Sequence, residues 1–170
     1  MKSKDAGIKV SAGVVLVLKP AHGSEPKVVL IKQNNSHYGR PAGYGEVIDI
    51  GPKGGVENGE SEPETALREA AEEVGLTGLS LDKSFKTEVK FEFDQPTGNG
   101  APMHIRKKVV YYLAYITEEE AGRIRLSEEH ESFEILPISS AVRRIEASAK
   151  TKMDVLNKIR FYVAKTAGPG

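Results

Sequence analysis

Residues 54–76 read GGVENGESEPETALREAAEEVGL, and the rest of the chain is best read outward from this stretch. Ser61 and Glu64 have the spacing of a capping box, in which the side chain of the first residue accepts a hydrogen bond from the backbone of the fourth. Gly75 is a typical C-terminal stop for a helix. The stretch therefore predicts a helix from Glu62 to Val74.

The predicted helix carries three glutamates on one side. At about 100° per residue, Glu69, Glu72 and Glu73 fall within an arc of about 100°. Such carboxylates repel each other, and their hard oxygen ligands suit Mg²⁺ or Mn²⁺. For three glutamates alone, a solvated acidic face is the other interpretation. A metal site is favoured here because Arg68 can order the carboxylates and Gly54 lets the backbone approach a metal or phosphate closely.

The spacing of these residues resembles the Nudix box. The matching pattern is Gly54-x5-Glu60-x7-Arg68-Glu69-Ala70-x-Glu72-Glu73-x-Gly75-Leu76. Ala70 is smaller than the aliphatic residue that the family usually has there. The resemblance implies a Nudix-like α/β/α sandwich, of class α/β or α+β, with a mixed sheet between helices. It also implies hydrolysis of a phosphoanhydride bond in a nucleoside diphosphate derivative, with Mg²⁺ or Mn²⁺ as cofactor.

The same resemblance implies roles for individual residues. The implied metal ligands are Glu69, Glu72, Glu73 and Gly54, the last through its backbone carbonyl. The implied catalytic residues are Arg68, Glu69, Glu73 and Glu129. Arg68 would orient the cluster by ion pairing, with Glu60 as an outer helper. Glu69 or Glu73 would deprotonate the attacking water, and Glu129 or Glu131 would add a fourth metal-binding or water-activating carboxylate.

The opening Pro52-Lys53-Gly54 resembles the diadenosine polyphosphate hydrolase branch of the family. It implies a dinucleoside polyphosphate substrate, such as diadenosine tetraphosphate. The candidate substrate-binding residues are Lys53, Lys107, Tyr111, Tyr112, His130 and Glu131. Because neighbouring residues of a strand point to opposite faces, we expect one of the two tyrosines in the core and the other in the cleft.

Other substrates and one other class of function stay open at this point. ADP-ribose, a nucleoside triphosphate or a diphosphoinositol polyphosphate are alternatives, and the last would need a basic pocket. The candidate basic residues are Lys86, Lys90, Arg106, Lys107 and Lys108. A non-catalytic nucleotide-binding domain would be expected to have a broken metal cluster. One departure from the dinucleotide branch is the strand before the motif, which carries Asp49-Ile50-Gly51 and lacks the aromatic residue that is usual there. A second is a long loop over 34–45, which could close over substrate through His37, Tyr38 and Arg40.

Length and composition limit the remaining possibilities. The 170 residues suit one domain, expected over 1–170 with flexible segments at 1–9 and 166–170. Equal numbers of basic and acidic residues, 24 each, argue against nucleic acid or a membrane as partner. The absence of Cys excludes disulfides and a cysteine nucleophile. We expect a cytoplasmic protein, monomeric or homodimeric, whose partner is a small nucleotide.

The apolar pattern predicts the other elements. Strands are expected at 10–18, 27–32, 46–50 and 133–137, a hairpin at 85–93 and 103–116, a short helical turn at 118–125, helices at 140–147 and 152–164, and loops at 34–45 and 51–55.

Overall fold

The computed structural model describes residues 4–19, 23–145 and 149–166. Its elements are β1 (Lys4–Leu18), β2 (Lys27–Gln33), β3 (Ile48–Asp49), β4 (Lys53–Gly55), α1 (Glu62–Val74), β5 (Thr87–Gln95), β6 (Met103–Ile116), α2 (Glu118–Ala121), β7 (His130–Pro137), α3 (Ile138–Ile145) and α4 (Lys150–Thr166).

The seven strands form one mixed sheet with β1 at its centre. The main strand order is β3-β2-β1-β6-β5, with β4 paired to β1 and β7 paired to β2. Strand β1 runs parallel to β6 and antiparallel to both β2 and β4. Gly13 lies opposite Lys53 and Val17 lies opposite Val28, so β4 and β2 share the same edge of β1. The mixed sheet expected from the sequence is confirmed.

Helices cover both faces of the sheet. Val15 and Val17 pack into a core with α3 and α4, whereas Val14 and Leu16 pack into a second core with α1. This alternation buries both faces of β1, and it explains why the strand reads as a continuous apolar run. The α/β/α sandwich is therefore confirmed. No helix within the described residues is both long and apolar enough to cross a membrane.

Several boundaries differ from those expected. Strand β1 begins at Lys4, inside the segment 1–9 expected to be flexible, because its first residues pair with β6. The expected loop 51–55 contains strand β4, whose glycines have no apolar pattern and which exists because it pairs with β1. Of the strand expected at 46–50, only Ile48–Asp49 forms a strand, which is β3. Four segments lie outside the described residues, namely 1–3, 20–22, 146–148 and 167–170. Parts of the expected termini, of the connection between the first two expected strands and of the helix expected at 140–147 fall on them.

A buried carboxylate ties three elements to β3. Asp49 is 4% exposed. Its oxygens accept hydrogen bonds from Gln33 Nε2 at 3.0 Å and Lys152 Nζ at 3.3 Å, and His130 Nε2 lies 3.2 Å away. Burial raises the pKa of Asp49, but the hydrogen bond with His130 and the charges of Lys53 and Lys152 outweigh it and hold the pKa at about 2. Asp49 is therefore ionised at neutral pH and links β2, β7 and α4.

We predict that Asp49→Asn destabilises the protein by about 2–4 kcal/mol, because it removes the charge that compensates the partly buried Lys152. Chemical denaturation monitored by circular dichroism measures this change. Asp94→Asn is the matched control, since Asp94 is exposed on β5 and pairs with His104 at the surface. Equal stability losses in the two variants would contradict the structural role of Asp49.

Candidate active site

Helix α1 holds three glutamates of the motif, Glu69, Glu72 and Glu73, at different depths. It begins after Ser61, whose side chain accepts a hydrogen bond from Glu64 N at 3.3 Å, and it ends at Gly75 in the left-handed conformation with φ 71°. Both ends agree with the sequence prediction. Glu69 and Glu73 are 8% and 6% exposed, whereas the side chain of Glu72 is 58% exposed. The helix therefore buries two carboxylates and leaves the third in solvent.

Strand β4 brings the backbone of Gly54 against the Glu69 carboxylate. A Cβ atom added at Gly54 would overlap that carboxylate, so any larger residue here would displace the Glu69 side chain from its position. Gly54 itself is held by its pairing with Ala12 of β1. This contact places a backbone segment beside the carboxylate, as expected for the glycine of the motif.

Arg68 lies at the centre of the carboxylates. Its Nε and Nη2 form a bidentate ion pair with the Glu60 carboxylate at 2.6 and 3.0 Å. Nη2 also donates to the Gly55 carbonyl at 3.0 Å. Its Nη1 donates to Glu69 at 2.9 Å and to Glu72 at 3.2 Å. The guanidinium, together with the Glu57 backbone N–H and the Thr65 hydroxyl, lowers the pKa of Glu60 to about 2. Arg68 therefore fixes Glu69 and Glu72 on the helix and joins α1 to β4.

A cluster of possible metal-ligand atoms forms where α1 meets the start of β7. Glu73, Glu129 and His130 each offer one ligand atom, and these atoms lie within 4.8 Å of one another. Burial raises the pKa of Glu73 to about 9, helped by a hydrogen bond shared with Glu69 and by the charges of Glu69 and Glu129. Crowded carboxylates of this kind raise each other's pKa unless a cation is present. The donor set of oxygens and one imidazole fits a divalent metal ion.

The acidic side chains open into a cleft of about 280 Å³. The cleft is lined by His37, Glu69, Glu72, Glu73, Ser127, Glu128 and Glu129. Backbone hydrogen bonds fix its walls, because Ser127 N donates to the Glu73 carbonyl at 3.0 Å and Asn34 N donates to the Glu129 carbonyl at 2.8 Å. The structure thus brings Glu69, Glu72, Glu73 and Glu129 together, as the sequence prediction required.

The residues predicted to bind substrate do not line the acidic cleft. Lys53 and Tyr111 line a smaller cavity of about 140 Å³ on the α4 side of the sheet, with Phe91 and Lys152. Tyr111 is 3% exposed, and burial raises its pKa. Tyr112 packs in the core on the α1 side. The two tyrosines therefore point to opposite faces as expected, but both are buried.

Three further candidates occupy other surroundings. His130 is 5% exposed and lies between Asp49 and Glu73, at 3.2 and 3.8 Å, so its ring does not support the predicted contact with phosphate or adenine. Glu131 forms an ion pair with Lys32 at 2.7 Å on the outer part of the sheet. Lys107 lies with its Nζ 5.7 Å from the centre of the Phe93 ring.

Sequence reasoning missed three residues at these sites. Asp49 supports His130, Lys152 lines the smaller cavity, and Phe91 exposes 43% of its surface beside it. A polar residue between Ile48 and Ile50 was a signal for Asp49. The other two depend on which elements pack together, which no local pattern shows.

Comparison with curated proteins finds relatives over part of the chain. The asymmetrical bis(5′-nucleosyl)-tetraphosphatase of Sus scrofa is 34% identical over 93 residues, covering 53% of this chain and 56% of that protein. The enzyme of the same name from Mus musculus is 35% identical over 92 residues, with the same coverage. The match thus spans about half the length of these relatives.

Comparison with solved structures finds the same fold. A binary complex of the C. elegans Ap4A hydrolase matches with a TM-score of 0.68 at 21% identity, covering 92% of this chain and 98% of the other. The E. coli dihydroneopterin triphosphate pyrophosphohydrolase matches with a TM-score of 0.63 at 18% identity, covering 90% and 95%. The NUDIX domain family model matches residues 7–156. With this match over most of its length, the chain belongs to the NUDIX family.

Proposed function

We propose that the protein hydrolyses a phosphoanhydride bond of a dinucleoside polyphosphate with the help of Mg²⁺ or Mn²⁺. The observation that carries this proposal is the gathering of Glu69, Glu73 and Glu129 in one cleft, with Arg68 ordering the cluster. A surface acidic patch would leave these carboxylates in water, whereas two of them are buried here. Buried like charges are retained where a cation compensates them.

The proposed ligands are the carboxylates of Glu69, Glu72, Glu73 and Glu129, with the backbone at Gly54 beside them. When bound, a divalent cation neutralises phosphate charge and lowers the pKa of water. The chain itself supplies orientation and a base. Arg68 keeps Glu69 in place, and Glu73 holds a proton more readily than an ordinary glutamate because it is buried among negative charges. With this raised pKa Glu73 is protonated at neutral pH, so it can accept a proton from the attacking water only where a cation in the cleft lowers that pKa.

The smaller cavity supports a nucleotide substrate. Lys53 and Lys152 line it and could pair with phosphate oxygens, and the exposed Phe91 ring lies at the same place. Phe93 stacks beside Phe91 with ring centres 6.4 Å apart and planes at 16°. Aromatic surface next to cations is what binding of a base and its phosphates requires. The names of the curated relatives favour a dinucleoside polyphosphate over other nucleotides.

The diphosphoinositol alternative has less support from the geometry. Its basic candidates Lys90, Arg106, Lys107 and Lys108 do lie together, around a cavity of about 540 Å³. However, Lys108 lies 3.8 Å from both Glu62 and Glu88, so one of these cations already has carboxylate partners. The cytoplasmic location, the absence of nucleic-acid or membrane partners and the choice between monomer and homodimer stay predictions.

We predict that Glu73→Gln lowers kcat by at least about 100-fold, because the amide cannot accept a proton from water. Steady-state hydrolysis of diadenosine tetraphosphate with Mg²⁺ measures the effect, and circular dichroism checks the fold. Glu64→Gln, on an exposed position of the same helix, is the matched control and should retain activity. Near-normal turnover in Glu73→Gln would contradict the role of Glu73.

A substrate profile tests the proposed substrate class. With saturating Mg²⁺, kcat/KM for diadenosine tetraphosphate should exceed that for ADP-ribose, GTP and a diphosphoinositol polyphosphate by about tenfold or more. The physical reason is that, of these compounds, only the dinucleotide combines a base at each end with a chain of four phosphates. A tenfold preference for ADP-ribose would overturn the dinucleotide assignment while leaving the hydrolase proposal intact.

A further inference from the structure

The loop over residues 34–45 carries an arginine packed against two tyrosine rings. The guanidinium carbon of Arg40 lies 4.6 Å from the ring centre of Tyr38 and 5.2 Å from that of Tyr44. Tyr38 and Tyr44 are nevertheless 44% and 56% exposed. A cation stabilises aromatic rings in this arrangement, so the loop presents aromatic surface to solvent in a fixed form.

Hydrogen bonds within the loop hold Arg40 in place. Arg40 Nη1 donates to Asn35 Oδ1 at 3.1 Å, and Asn35 Nδ2 donates to the Gly45 carbonyl at 2.8 Å. Within the part of the chain that the structure describes, Arg40 has no carboxylate partner. Its charge is therefore available to a ligand, and the loop needs little further ordering to bind one.

The loop is joined to the wall of the acidic cleft. Asn34 N and Asn34 Nδ2 donate to the carbonyls of Glu129 and Glu128 at 2.8 and 3.2 Å. His37, next to Tyr38, lines the cleft itself. Burial raises the pKa of Tyr38, and the negative charges of Glu129 and Glu73 raise it further. A ligand whose phosphates lie in the cleft would thus extend toward Tyr38.

Exposed aromatic surface lies at both ends of the strand order. Phe91 and Phe93 belong to β5 at one end, and the 34–45 loop leads into β3 at the other. A dinucleoside polyphosphate has a base at each end of its phosphate chain. Two separate aromatic groups are therefore available to a ligand that carries two bases.

We propose that Tyr38, Arg40 and Tyr44 form a binding subsite for the second nucleoside of a dinucleoside polyphosphate. The inference rests on the proposed function, because it assigns the second base of that substrate. The two rings would stack on the base, which every nucleobase permits, and the guanidinium would contact the nearest phosphate. This subsite would make the enzyme prefer dinucleotides over mononucleotides that have the same number of phosphates.

The test compares diadenosine tetraphosphate with adenosine 5′-tetraphosphate, which lacks only the second nucleoside. The ratio of their kcat/KM values should fall about tenfold in Tyr44→Ala, chiefly through a higher KM for the dinucleotide. Tyr44→Phe keeps the ring and should keep the ratio. Phe161→Ala removes a ring that is 76% exposed on α4 and serves as the control for the loss of a surface aromatic.

The two proposals can fail separately in this experiment. If the wild-type protein hydrolyses diadenosine tetraphosphate but Tyr44→Ala leaves the ratio unchanged, the subsite is overturned and the proposed function stands. If Tyr44→Phe loses as much as Tyr44→Ala, stacking is not the interaction and the subsite is again overturned. If the wild-type protein does not hydrolyse the dinucleotide with Mg²⁺ or Mn²⁺, the proposed function and the subsite are both overturned.

Discussion

The guanidinium of Arg68 is the contact on which the geometry of the site depends. It lies 2.6 Å from Glu60, 2.9 Å from Glu69 and 3.2 Å from Glu72, and so holds together carboxylates that would otherwise repel. Because Arg offers several donors in a fixed plane, it can do this with one side chain, which a lysine could not. Its bond to the Gly55 carbonyl joins the helix to β4, and β4 is joined to the centre of the sheet. The positions of the charges are thereby tied to the backbone of the fold.

The charge of Arg68 does not balance the whole cluster. Glu73 lies outside its hydrogen bonds, buried beside Glu69 and Glu129, and its pKa is raised to about 9 as a result. The neighbouring His130 is itself held by Asp49. Burying carboxylates this closely lowers stability, and such strain is retained at sites where a ligand relieves it. The two apolar cores of the fold compensate for the free energy of unfolding that this arrangement loses.

Local sequence patterns predicted the helix and its glutamates well, because the cap at Ser61, the stop at Gly75 and the spacing of the charges are all set within α1. They failed where long-range pairing decides the structure. Strand β4 contains two glycines and forms only against β1, and β7 begins at His130, which turns that ring toward Asp49. Tyr111 and Tyr112 were assigned to opposite faces from alternation, but their depth depends on the helices that cover both faces.

The proposed role of the carboxylates gathered in the cleft is to hold a divalent cation. The most direct test is anomalous diffraction from crystals soaked in millimolar Mn²⁺, with Mg²⁺ as competitor. An anomalous peak is expected within about 2.5 Å of oxygens from Glu69 or Glu73, and it should diminish as Mg²⁺ is added. A cleft without a peak at saturating Mn²⁺, in a protein that keeps full activity in the presence of a chelator, would contradict this role.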